Sequence, residues 1–143
     1  MNVLILGGGG REHALGMRLA QSGAHVTYAP GNGGSTPNLP VNPTDAAAVW
    51  ALVQNLKINM VVIGPEAPLV AGVAEVLRAH GVPVVGPGRA GAQLEGSKAW
   101  AKQFMQRHGV PTAPYRLFAR SAYPEAFAAV EELPLPLVIK ADG

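Results

Sequence analysis

Positions 7–10 are four consecutive glycines, and Arg11, Glu12 and His13 follow them directly. That pattern suits a phosphate. Gly8, Gly9 and Gly10 let backbone N–H groups approach an anion closely, and a helix starting there adds unpaired donors and the positive end of its dipole. The dipole contributes about 0.3–1 kcal/mol per charge. Arg11 can add a charge-assisted contact, and His13 falls in the first turn. The plain alternative is that the glycines only make a tight turn. A dinucleotide fingerprint is the other competitor. It wants glycine at position 12, where Glu12 would crowd the helix–strand contact, and an acid about 20 residues on. The run Tyr28-Ala29-Pro30-Gly31 has no acid, so a nicotinamide dinucleotide is disfavoured.

Two further positions belong to the same rim. Glu66, in Gly64-Pro65-Glu66, follows an apolar run. There its carboxylate can accept hydrogen bonds from sugar hydroxyls, or serve as a first-turn acid of the next helix. Asn32, in Pro30-Gly31-Asn32, reads either as a rim ligand or as an ordinary turn asparagine. Lys98, Lys102, Arg107, Arg116 and Arg120 lie in a stretch without an acid. They form either a solvated face or a lining for an anion.

These residues need elements to hold them. The apolar run 3–6 does not alternate and is bounded by glycine, as a strand buried on both faces would be. A helical pattern through Ala14, Leu15, Arg18 and Leu19 closes near Ser22 and Gly23. Strands are expected at 26–29, 60–63 and 82–85. Helices are expected between them, one capped by Thr44 or Asp45 and carrying Val49 and Val53, another over 70–80. Strand–helix alternation of this kind specifies an α/β fold: an open parallel sheet with helices on both faces. Beyond residue 88 the rhythm changes. A short helix is expected at 90–95, a longer one capped by Ser97, a strand at 115–118, a helix from Pro124 to about Leu133, and a last strand at 137–139. The expected domains are 1–92 and 93–143.

The bulk numbers narrow the class. A chain of 143 residues with 18 glycines, 13 prolines and no cysteine has no disulfide or thiolate chemistry. A net charge of +2 is too weak to argue for nucleic acid. The N-terminus lacks a signal peptide's basic region, and its apolar run is too short for a membrane span. A cytoplasmic protein without membrane or nucleic-acid partners is expected.

Five segments, in order, resemble one family. They are Gly8-Gly9-Gly10-Arg11-Glu12-His13-Ala14-Leu15, Ala29-Pro30-Gly31-Asn32, Gly64-Pro65-Glu66-Ala67-Pro68-Leu69-Val70, Leu94-Glu95-Gly96-Ser97-Lys98 and Val138-Ile139-Lys140-Ala141-Asp142-Gly143. The family is phosphoribosylamine–glycine ligase, or glycinamide ribonucleotide synthetase, an ATP-grasp carbon–nitrogen ligase of purine synthesis. The resemblance implies a Rossmann-like substrate domain followed by the start of an ATP-grasp domain. It implies that ATP, glycine and phosphoribosylamine give glycinamide ribonucleotide, ADP and phosphate. It places the sugar 5′-phosphate on residues 8–13, with Asn32 beside it and the ribose hydroxyls on Glu66. It places ATP on Lys98, Lys140, Asp142 and Gly143. For Lys98, an exposed helix-start lysine is the plain alternative. Magnesium or manganese is implied for the whole enzyme, with its ligands absent from this chain. No catalytic residue and no metal ligand is assigned here. Other ATP-grasp purine ligases, and a non-catalytic phosphate-binding module, are the competing readings.

A domain rarely stops on a strand with nothing to pair or cover it. The chain is therefore expected to be an N-terminal fragment, inactive alone, whose exposed last strand invites self-association.

Overall fold

The computed structural model describes residues 1–142, and the chain divides into two compact units, Met1–Gly96 and Ser97–Gly143.

The first unit holds β1 (Asn2–Gly7), α1 (Gly10–Gln21), β2 (His25–Pro30), α2 (Ala46–Asn55), β3 (Met60–Ile63), α3 (Glu66–Ala71), α4 (Val73–Ala79), β4 (Val84–Val85) and α5 (Arg89–Gly96). The strands form one parallel sheet in the order β2-β1-β3-β4. Strand residues alternate between two faces, and β1 shows the consequence. Leu4 and Leu6 join Val49 and Val53 of α2 and Val73 and Leu77 of α4 in one core. Val3 and Ile5 join Tyr28 and Val62 in the other, against Leu19 of α1. Every residue of β1 from Val3 to Gly7 is buried, which is why its sequence reads as an unbroken apolar run. Helices cover both faces, as expected for the α/β class.

Two details differ from expectation, and a third settles an alternative. The helix expected over 70–80 is two helices, broken at Gly72, whose φ of +89° is left-handed. Only glycine takes that region without strain. The strand expected at 82–85 is reduced to Val84 and Val85. The cap of α2 is Asp45, whose side chain accepts from the N–H groups of Ala47 and Ala48 at 3.0 Å.

The second unit holds α6 (Lys98–Arg107) and α7 (Tyr123–Glu132). Ser97 caps α6 by accepting from Trp100 N–H at 3.0 Å, and Pro124 lies in the first turn of α7. The expected strands at 115–118 and 137–139 do not form. The second follows Pro134 and Pro136, which cannot donate to a ladder. An isolated pair of strands is also marginal without more sheet. The segment through which self-association is expected is therefore not a strand, and its Val138 and Ile139 are exposed.

Candidate functional site

The glycine turn leaves the C-terminal end of β1. Gly7 is buried with φ +134°, and a Cβ there would stand 2.6 Å from Glu12 Cγ and 2.8 Å from Pro65 Cδ. Gly9 is the N-cap of α1, while Gly8, Gly9 and Gly10 are exposed. Glu12 reaches back to accept the Gly9 N–H at 2.7 Å, one half of a capping box. The N–H groups of Gly8, Gly10 and Arg11 find no acceptor among the described residues. Three backbone donors are thus left on the glycine turn and the start of α1, the arrangement an anion takes.

The loop after β2 is stitched to this turn. Gly31 N–H donates to Gly7 O at 3.2 Å. The Asn32 amide nitrogen lies 3.2 Å from Gly8 O and 3.3 Å from Gly9 O, and its oxygen accepts from Gly34 and Ser35 N–H. Asn32 is thus a turn asparagine that also fixes the glycine turn. Ser35 is buried; its hydroxyl accepts from Asn32 N–H and donates to Asn38 Oδ1 at 2.7 Å. Sequence reasoning passed over Ser35 and Asn38. The Asn32-x-x-Ser35 spacing of a side-chain-closed turn was the available signal. His13 turns under this loop. Its ring meets Gly34 and stands edge-on to Tyr28, centroids 6.1 Å apart.

Arg11 is engaged within the protein. Its Nε donates to Glu12 Oε1 at 2.9 Å, its Nη2 donates to the Gly64 carbonyl, and its Nη1 lies 3.9 Å from Glu95. The hydrogen bond to Glu12 raises the guanidinium's pKa. Glu12 is only 4% exposed. Burial works to raise its carboxyl, but the hydrogen bonds from Arg11 and Gly9 outweigh it and hold the group below the usual carboxylate value. The crowding expected at position 12 is relieved by glycine elsewhere. Gly7 and Gly64 both lie against the Glu12 side chain, and a Cβ at Gly64 would overlap it. Glu66 opens α3 and is half-buried, and its carboxylate makes no hydrogen bond among the described residues. Gly8–Gly10, Asn32 and Glu66 therefore share the C-terminal edge of the sheet, where ligands bind in open parallel α/β folds.

In the second unit, Lys98 opens α6 and is exposed, as is Lys140. The Asp142 carboxylate accepts from Ser97 Oγ at 3.0 Å and from Ala99 N–H at 3.1 Å. The Ala99 N–H bond is the main reason its carboxyl is held low. Asp142 is thus placed as a second cap of α6 beside Lys98. Gly143 lies outside the described residues. Two members of the basic stretch are occupied locally. Lys102 Nζ donates to Thr112 Oγ1 and Ala113 O and stands over the Tyr115 ring, and Arg116 lies 3.5 Å from Glu132. No helix among the described residues is long and apolar enough to cross a membrane.

Residues 1–95 match the family described as phosphoribosylglycinamide synthetase, N domain, and residues 96–143 match phosphoribosylglycinamide synthetase, ATP-grasp (A) domain. The chain is 49% identical to a phosphoribosylamine–glycine ligase of Ralstonia nicotianae, over 100% of this chain and 35% of that protein. It is 46% identical to that of Yersinia pestis, with the same coverage. The crystal structure of phosphoribosylamine–glycine ligase from Thermotoga maritima superposes with a TM-score of 0.72 at 33% identity, over 100% of this chain and 33% of that one. N5-carboxyaminoimidazole ribonucleotide synthetase from the same organism, at 16% identity and a TM-score of 0.63, covers 94% of this chain and 37% of its own and shares the fold alone. The chain spans about a third of the length of the curated relatives it matches. With both family matches in sequence order and together spanning the chain, it belongs to the phosphoribosylglycinamide synthetase family.

Proposed function

We propose that this chain supplies the sugar-phosphate-binding domain and the opening of the ATP-binding domain of a phosphoribosylamine–glycine ligase. The observation that carries the reading is the trio of N–H groups on Gly8, Gly10 and Arg11, without an acceptor among the described residues, at the glycine turn and N-terminus of α1. In this reading the trio takes the 5′-phosphate of phosphoribosylamine. Asn32 holds the turn that presents it, and the unengaged carboxylate of Glu66 accepts from the ribose hydroxyls. Lys98 and Lys140 offset the charge of the ATP phosphates, with Asp142 fixing the start of the Lys98 helix. The units Met1–Gly96 and Ser97–Gly143 then correspond to the two domains.

The overall reaction joins glycine to the amine of phosphoribosylamine as ATP becomes ADP and phosphate. Glycine's carboxylate must first become an acyl phosphate, because carboxylate oxygen is a poor leaving group. Such a reaction rests on positioning and charge neutralisation, not on a protein nucleophile. The residues named here bind and orient; none takes a proton from substrate. Magnesium is implied by the ATP chemistry. Among the described residues no cluster of three His, Asp or Glu is placed to hold it.

Calorimetric titration with ribose 5-phosphate tests the reading, with amide chemical shifts to locate the site. Binding should perturb Gly8, Gly10 and Arg11 most. Glu66→Ala should weaken ribose 5-phosphate about tenfold, the loss of one or two hydrogen bonds to a charged acceptor. The same change should leave inorganic phosphate unaffected. Absence of binding, or shifts centred on another element, refutes the assignment.

A further inference from the structure

The strand order β2-β1-β3-β4 reverses direction between β1 and β3, since the chain goes from β1 to β2 on one side and returns to β3 on the other. In doubly wound folds that reversal opens the crevice across which a dinucleotide lies, its pyrophosphate passing the glycine turn. Here the crevice is filled. The Glu12 side chain lies against Gly7, Gly9 and Gly64, which come from the ends of both strands and the turn between them. It is among the few buried polar side chains of the unit. Arg11 continues the bridge towards solvent, from Glu12 Oε1 to the Gly64 carbonyl. Glu12 also takes the Gly9 N–H, removing one donor that a second phosphate would use.

We propose that Glu12, braced by Arg11, is a specificity-determining residue that closes the switch-point crevice and restricts the glycine turn to a phosphomonoester, excluding pyrophosphate diesters. The inference deepens the reading of this turn as a sugar-phosphate site and rests on it. The donors left free among the described residues, on Gly8, Gly10 and Arg11, serve one phosphate group from the open side. A diester would have to run on towards β3, where the Arg11–Glu12 bridge stands. Substitution by glycine at position 12 empties the space that Gly7 and Gly64 already leave around it.

The test compares ribose 5-phosphate with ADP-ribose by calorimetry on the whole chain. The wild-type chain should bind ribose 5-phosphate at least about thirtyfold more tightly than ADP-ribose, a difference of the size that a blocked polar site imposes. Glu12→Gly should narrow that ratio about tenfold or more, while Glu12→Gln, which keeps the volume and the acceptor for Gly9 N–H, should preserve it. Arg11→Ala opens the bridge from the solvent side, leaves the buried residue in place, and should narrow the ratio in the same direction. It decides the matter if Glu12→Gly does not fold. Equal affinities in the wild-type chain, or a ratio unmoved by whichever of these two opening variants folds, overturns this inference alone. Failure of the wild-type chain to bind ribose 5-phosphate overturns the phosphate reading beneath it, and this inference with it.

Discussion

At the scale of single residues, Glu12 shows what a sequence can and cannot disclose. Its presence where a dinucleotide fingerprint wants glycine is visible in one line of text. Its accommodation is not, because the space comes from Gly7, next to the turn, and from Gly64, 52 positions further along the chain. The same side chain gives a pH dependence with a definite sign. Its folded carboxyl is held below the ordinary value, so its contribution is complete above about pH 4.3, the unfolded value, and is lost as the pH falls through the lower folded one. Glu75, held low chiefly by the Arg89 N–H, adds in the same direction. Urea midpoints of the first unit, followed by Trp50 fluorescence in a Trp100→Phe background, should fall between about pH 5 and pH 3, and Glu12→Gln should flatten that fall. An acid slope unchanged by Glu12→Gln would contradict the assignment. Gly16 offers a cleaner packing test. A Cβ there would overlap the Tyr28 phenol ring, and Tyr28 is buried. Gly16→Ala should therefore destabilise the unit by about 1–3 kcal/mol, the cost of overpacking, although alanine is the better helix former. A stabilised variant would mean that Tyr28 moves aside freely.

At the scale of elements, legibility followed the sheet. The strands β1 and β3 were readable because burial on both faces removes alternation and leaves short apolar runs. The edge strand β2, whose first residues are exposed or half-buried, was readable from its β-branched and aromatic residues Val26, Thr27 and Tyr28. The helix break was hidden: Val70-Ala71-Gly72-Val73 reads as continuous helix, and only the left-handed φ of Gly72 divides it. That break matters to the candidate site, because it leaves α3 a short element opening on Glu66. The strands expected at 115–118 and 137–139 had the right composition but no neighbouring ladder, and strand propensity expresses itself only through such neighbours. Asn32 was legible as a turn residue, yet its bonds to Gly8 and Gly9 depend on β1 and β2 pairing side by side. Capping can be tested directly. Asp45→Ala removes the acceptor for two first-turn N–H groups of α2 and should lower the urea-derived stability of the first unit by about 1 kcal/mol. Asp45→Asn, which keeps the acceptor, should recover most of it. Equal losses in both would place the effect in charge and not in the cap.

At the scale of the whole molecule, the two units differ in how much apolar surface they bury, and their dynamics should differ accordingly. The first has a double core around a four-stranded sheet, with Val3, Leu4, Ile5 and Leu6 wholly inaccessible. In the second, Ala101 and Ala129 are the buried hydrophobics, while Leu135 and Ile139 are each 82% exposed and Phe127 and Tyr123 also face outward. Opening free energies scale with burial and with protected backbone hydrogen bonds, so poorly packed segments open first. The segments at 111–118 and 134–142 form neither helix nor strand, and their amides should exchange near the rate of an unstructured chain. Amides of α6 and α7 should exchange at intermediate rates, and those of β1 and β3 slowest, near the limit set by unfolding of the first unit. The two tryptophans give an independent check, because Trp50 lies in α2 and Trp100 in α6, one in each unit. Their urea transitions should not coincide, with Trp100 reporting the lower midpoint, and a single two-state fit should fail. Coincident transitions, with α7 amides protected as strongly as those of β1, would show that the second unit draws its stability from packing that its own buried residues do not account for.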